Sequence, residues 1–160
     1  MGKQINKKFL FSTLVFISLV LISAFVIEYK MDHKPCRLCL YERIPYFLAV
    51  FLITKIFFIR SYEKLTLLIL FLVFTVSSVL AFYHFGIEQG FFEESFACTV
   101  GNFSETLSKE EILEQLKQNT ISCKDVSFKI LGLSLAAINA VFSFVLGVIF
   151  LKLFMSYGKN

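Results

Sequence analysis

Apolar residues fall into four long blocks, and polar residues collect between them. The first block runs from Phe9 to Ile27 without a charged side chain. The third runs from Leu65 to Ile87, with His84 as its only acidic or basic residue. The fourth runs from Ile130 to Leu151 and has none. The second, about residues 40–59, is weaker: Glu42 and Arg43 lie at one end and Lys55 near the other. Crossing about 30 Å of hydrocarbon takes about 20 mainly apolar residues in a helix. All four blocks are of that order, and Lys55 can snorkel toward the nearer interface. Helices are the expected form, because a segment in lipid must satisfy every backbone donor and acceptor internally. The pattern predicts an all-α integral membrane protein. One domain over residues 1–160 is built as a four-helix bundle, with spans at about 9–27, 40–59, 65–87 and 130–151.

Lys3, Lys7 and Lys8 precede the first block and would suit the basic end of a signal peptide. The apolar run is longer than an ordinary signal core, and no clear A-x-A site follows it, so an uncleaved span is expected. Lys and Arg set the orientation. Counted by side they tie, but density separates them. One group crowds two short tails and the short connection around Arg60 and Lys64; the other is spread over two longer loops. The positive-inside rule then puts both termini in the cytoplasm. It leaves two extracytoplasmic loops, about residues 28–43 and 88–129. Within the second, Ser108-Lys109-Glu110-Glu111 reads as a capping box. Ile112, Leu113 and Leu116 give the helix it would open, through about Gln118, one apolar face.

Composition agrees with a bilayer. The chain is 57% hydrophobic with 21 Phe and no Trp, and 18% charged. An ordinary soluble domain has about 25% charged residues. A soluble domain of this size could not bury so much apolar surface, and a disordered chain would have the opposite composition. The net charge of +4 follows from membrane topology rather than from nucleic-acid binding.

The candidate chemistry is in four cysteines, all on the outward loops: Cys36 and Cys39 in the first, Cys98 and Cys123 in the second. That side is the oxidising one, where disulfides form and persist. Cys36-Arg37-Leu38-Cys39 is a C-x-x-C, a spacing that commonly lowers a thiol pKa. Pro35 precedes it and the second block follows, so the pair is expected at a helix N-terminus, where the dipole favours a thiolate. A stability staple gains more by closing a long loop than a two-residue one. Zinc would want a second close pair, which Cys98 and Cys123 do not form. Haem attachment would need His where Leu40 stands. Redox exchange is therefore the favoured reading. Cys98 and Cys123 alone would read as a structural disulfide, but beside a redox pair they suggest a two-step thiol–disulfide relay. Four cysteines allow three connectivities, and spacing does not choose among them.

A relay needs an electron sink, and the sequence has no dinucleotide fingerprint, haem motif or iron–sulfur spacing. A membrane quinone needs only an apolar slot, a donor to a carbonyl oxygen and a nearby thiolate. Arg43, one turn beyond Cys39, is the candidate donor; its bland alternative is an interfacial arginine paired with Glu42. His84, near the outer end of the third span, is a candidate for quinone binding or proton movement. An interfacial role is equally compatible with its position. Asn139, inside the fourth span, is expected to make an interhelical hydrogen bond.

Pro35-Cys36-Arg37-Leu38-Cys39-Leu40-Tyr41-Glu42-Arg43 resembles the signature of the DsbB family of bacterial disulfide-forming membrane proteins. The likeness covers nearly the whole chain: four spans, Tyr83-His84 near the end of the third, a cysteine pair in the longer loop, and Leu131-Gly132-Leu133-Ser134 leading into the fourth. The resemblance implies a quinone-dependent protein-disulfide oxidoreductase of the bacterial inner membrane, its redox loops periplasmic. It would reoxidise a DsbA-like thioredoxin-fold partner and pass electrons to ubiquinone or menaquinone. By position, Cys98 would form the mixed disulfide with the partner and Cys123 would resolve it. Electrons would pass through a Cys36–Cys123 disulfide, and Cys39 would face the quinone with Arg43 holding the ring. One departure is Phe128, where many relatives carry Trp. The direction is downhill, since a DsbA-type disulfide is already oxidising at about −120 mV and needs a stronger acceptor. Two alternatives remain. A vitamin K epoxide reductase-like enzyme would carry its C-x-x-C near the end of a late span. A non-catalytic bundle would use its cysteines only to staple the outer loops.

Overall fold

The computed structural model describes residues 7–32, 35–59, 62–93, 98, 123–124, 129–130 and 132–157. The expected loop helix at 108–118 and the aromatic at position 128 lie outside them. Four long helices dominate the described residues: α1 (Lys7–Lys30), α2 (Arg37–Phe58), α3 (Glu63–Glu88) and α4 (Leu135–Ser156). α1, α3 and α4 are each long and apolar enough to cross a membrane. α2 is of similar length but carries Arg37, Glu42, Arg43 and Lys55.

The fourth helix differs from expectation at its start. The apolar block begins at Ile130, yet helix begins only at Leu135. The intervening residues form a small antiparallel hairpin, β1 (Lys129–Ile130) and β2 (Leu133–Ser134), pairing Lys129 with Ser134 and Ile130 with Leu133. Gly132, at φ +84°, supplies its left-handed turn position. Ser134 then caps α4, its Oγ accepting from Ala137 N–H at 3.2 Å.

Each helix turns one stripe inward. On α1 it is Leu10, Thr13, Ile17 and Leu21; on α2 it is Leu38, Glu42, Tyr46, Ala49, Ile53 and Ile56. On α3 it includes Leu67, Leu70, Phe74, Ser77, Ala81 and His84. Spacings of three and four along these stripes are those of one face of a helix packed against its neighbours. The outward faces are just as apolar, with Phe11, Phe51, Phe82 and Phe144 all exposed, so hydrophobicity alone cannot mark the inside. Small and polar residues mark it instead, as membrane helix packing requires. α3 and α4 make the most extensive pairing. Phe74 stacks on Phe150 at 5.6 Å, Ser77 and Ser143 hydroxyls meet at 3.0 Å, and Ser78 donates to the Ala140 carbonyl at 3.2 Å.

The outer end of α3 stops in a Schellman turn. Phe91 N–H bonds Gly86 C=O at 2.8 Å and Gly90 N–H bonds Ile87 C=O at 3.0 Å, with Gly90 at φ +77°. Gly86 has no room for a side chain, because a Cβ there would collide with the Phe92 ring. The turn aims the chain back over the bundle end that carries the cysteines.

Candidate functional site

The site is built on the first turn of α2 and the last turn of α3. Cys36 is the N-cap of α2: its backbone is extended, and its Sγ accepts from Cys39 N–H at 3.2 Å. A sulfur is thus held where a carboxylate or hydroxyl normally caps a helix, in the positive end of the dipole. The two-residue spacing brings Cys39 Sγ to 2.7 Å from Cys36 Sγ. Both are free thiols; Cys36 is buried and Cys39 partly exposed. The Cys36 thiol is pulled down from an ordinary 9.0 to about 5. The hydrogen bond from Cys39 contributes most, opposed by burial and helped by His84 and the Cys39 amide. With Cys36 as thiolate, the shared S–H belongs to Cys39.

His84 comes from α3 and is buried at 3% exposure. Its Nε2 lies 3.5 Å from Cys36 Sγ, and its Nδ1 lies 2.6 Å from Glu42 Oε1. Glu42 is itself buried, and its other oxygen accepts from Asn139 Nδ2 at 2.6 Å. Tyr46 O–H donates to Asn139 Oδ1 at 2.5 Å and meets Ser143 Oγ at 3.1 Å. A continuous polar chain therefore runs from the cysteine pair through α3 and α2 into α4. Glu88, the last residue of α3, approaches the other side of the imidazole, with Oε1 3.9 Å from Nε2. Glu88 Oε2 has no hydrogen-bond partner among the described residues.

Arg43 points elsewhere. Its Nη1 donates to Glu28 Oε2 of α1 at 2.5 Å, and its guanidinium lies 5.1 Å from the centre of the Phe25 ring. The expected alternative pairing with Glu42 is replaced by one with Glu28. Helix geometry is the reason: Glu42 is on the inward stripe and Arg43 is rotated toward α1. His84 is a buried member of the site rather than an interfacial side chain. Asn139 makes the interhelical hydrogen bond expected of it.

Cys98 and Cys123 form a disulfide. They pack with Cys36, Leu38 and Ile87 in one buried cluster, and Cys39, Leu80 and Tyr83 lie against it. Both cysteine pairs thus share one apolar pocket. The interloop Cys36–Cys123 bond is not formed in this arrangement. Sγ of Cys36 and Cys39 and a ring nitrogen of His84 all lie within 4.8 Å of one another, a set that invites comparison with a metal centre. Two thiolates on one zinc ion, with bonds of about 2.3 Å in tetrahedral geometry, stand farther apart than the 2.7 Å found here. The cysteines are spaced for bonding to each other.

Sequence reasoning found the four cysteines, Arg43 and His84, but treated Glu42 only as a neighbour of Arg43. The missed signal was its spacing, four residues from both Leu38 and Tyr46, which puts a carboxylate on the inward stripe.

The family model described as "Disulfide bond formation protein DsbB" matches residues 6–153. The Uncharacterized protein RP370 of Rickettsia prowazekii (strain Madrid E) is 32% identical over 161 residues, an alignment covering 99% of this chain and 93% of the relative.

Proposed function

Because the chain belongs to the DsbB family, a family of membrane disulfide oxidoreductases, we propose that it reoxidises a DsbA-like periplasmic thioredoxin-fold protein and delivers the electrons to a membrane quinone. The observation that carries this reading is the packing of both cysteine pairs into one buried cluster. Thiol–disulfide exchange needs the attacking and attacked sulfurs in reach of each other.

In the proposed cycle a reduced partner attacks the Cys98–Cys123 disulfide and forms a mixed disulfide with Cys98, releasing Cys123 as thiolate. The partner's second thiol completes its own disulfide and leaves Cys98 reduced. Exchange between Cys123 and an oxidised Cys36–Cys39 pair, through a Cys36–Cys123 bond, moves the two electrons to the first pair. The burial of Cys36 in the same cluster as Cys123 supports its part in that exchange. Cys39, partly exposed, is left as the sulfur facing the acceptor. Reforming the Cys36–Cys39 bond releases two electrons and two protons, and a bound quinone supplies the acceptor for both.

The residues present fit a quinone. Cys39 and Arg43 lie one turn apart on α2, beside Leu40, Tyr41, Ile44 and Phe47, which all present exposed apolar surface. Glu28 engages Arg43 through Nη1, and a guanidinium has five N–H donors, so Arg43 can take a carbonyl oxygen without releasing α1. Four membrane spans, both termini in the cytoplasm and redox loops in the periplasm complete the proposal, with the bacterial inner membrane as its location.

The test is a coupled assay. The chain in detergent is mixed with a reduced DsbA-like protein and a soluble quinone analogue, and quinone absorbance is followed. Catalytic quinone loss is expected for the parent, and background rates for Cys39→Ser and Cys98→Ser. A well-folded parent that turns over neither ubiquinone nor menaquinone analogues with a competent partner would overturn the reading.

A further inference from the structure

Glu42 has no part in the relay just described, yet it is buried at 7% exposure with both carboxylate oxygens engaged. A carboxylate in such a place is costly unless something compensates it, and every interaction it makes leads to His84 or holds it against α4. A carboxylate only accepts hydrogen bonds. The 2.6 Å contact with His84 therefore fixes a proton on Nδ1 and aims Nε2 at Cys36 Sγ, 3.5 Å away. Asn139, itself held by Tyr46, prevents Glu42 from turning aside.

We propose that Glu42 is a positioning residue that orients and charges His84, so that His84 takes the Cys36 proton and stabilises Cys36 as the thiolate of the reduced pair. The step balances without an oxidant: the Cys36 S–H bond breaks, an Nε2–H bond forms, and the electron pair stays on sulfur. The resulting imidazolium lies between two anions, the Cys36 thiolate at Nε2 and the Glu42 carboxylate at Nδ1. Among the described residues, the other titratable groups near Cys36 and His84 are Cys39 on α2, Tyr83 and Glu88 on α3 and, once the chain is reduced, Cys98 and Cys123. α4 contributes the neutral Asn139 and Ser134. On α1, Glu28 is paired with Arg43. Glu88 is 3.9 Å from Nε2, beyond hydrogen-bond length, and does not compete with Glu42 for the ring. The inference rests on the thiol–disulfide chemistry of the family and not on the quinone or the soluble partner.

The experiment needs neither of those. The full chain is reduced in detergent, and alkylation of Cys36 by iodoacetamide is followed against pH by peptide mass spectrometry. The parent is expected to titrate at about 5. Glu42→Gln should move the midpoint upward by about one pH unit or more, a tenfold loss of thiolate on the acid side, and Glu42→Asp should restore it. Loosened packing alone would lower the melting temperature without moving the midpoint. A folded Glu42→Gln chain with an unmoved midpoint would overturn the proposal. Should Glu42→Gln not fold, nitrogen NMR of His84 in the unsubstituted chain decides. A protonated Nδ1 with a carboxylate-bonded, strongly downfield proton is the expected result; a bare Nδ1 rejects the proposal. A chain that passes these tests yet fails to turn over quinone would leave this inference standing and remove the acceptor reading alone.

Discussion

Cys36 caps a helix with its sulfur, and in the proposed cycle the same sulfur exchanges disulfides, so the first task makes the second pH-dependent. Its thiol lies at about 5 in the folded chain whose Cys36–Cys39 pair is reduced, against an ordinary 9.0. Folding therefore favours the deprotonated form. The reduced chain should gain stability as pH rises from about 5 to 9.0, hold the full contribution above 9.0, and lose it as pH falls through about 5. Unfolding midpoints of the reduced chain measured across that window should show the slope, and Cys36→Ser should flatten it. The cysteines were legible because C-x-x-C is a local pattern. Glu42 was not, because its partners His84 and Asn139 come from α3 and α4, and no local window holds them together. Arg43 was legible as a functional candidate, but its partner Glu28 lies on the preceding helix. Only the rotation of α2 against α1 shows that pairing.

At the level of helices, block length located all four elements within a few residues at most ends. It failed where an apolar run is not a helix. Lys129–Ser134 forms a hairpin although Ile130, Leu131 and Leu133 continue the apolar block. The corrective signals were Gly132 and Ser134, a turn residue and a cap, hidden by the hydrophobicity around them. Two consequences can be measured by unfolding in mixed micelles. Tyr46→Phe removes the hydroxyl that joins α2 to Asn139 and Ser143 on α4. It should cost about 0.6 to 1.7 kcal/mol, the range of interhelical hydrogen bonds in membranes. Gly90→Val forces a branched side chain into the left-handed position that closes α3. It should cost about 1 to 2 kcal/mol, and it should also disturb the turn that leads back toward the cysteines.

For the molecule as a whole, the outward faces are as apolar as the inward stripes and the buried polar side chains lie among the latter, so the usual link between hydrophobicity and burial disappears. The bundle was legible as a count of apolar blocks, but its interior was not, since inward and outward stripes are equally greasy. The polar interior also has a bearing on how the chain is made. α2 carries Glu42, Arg43 and Lys55, and a charged residue near a helix centre costs about 2.5 to 3.5 kcal/mol on translocon scales, less toward the ends. The partners that offset this are Glu28 on α1, His84 and Thr66 on α3, and Asn139 on α4. When α2 leaves the ribosome only α1 exists. In the proposed four-span protein, α2 would wait at the membrane surface or beside the insertion machinery until α3 follows. A nascent chain stopped before α3 should leave its C-terminus largely on the wrong side in a reporter-fusion assay, whereas one continued through Glu88 should seat α2 in the bilayer.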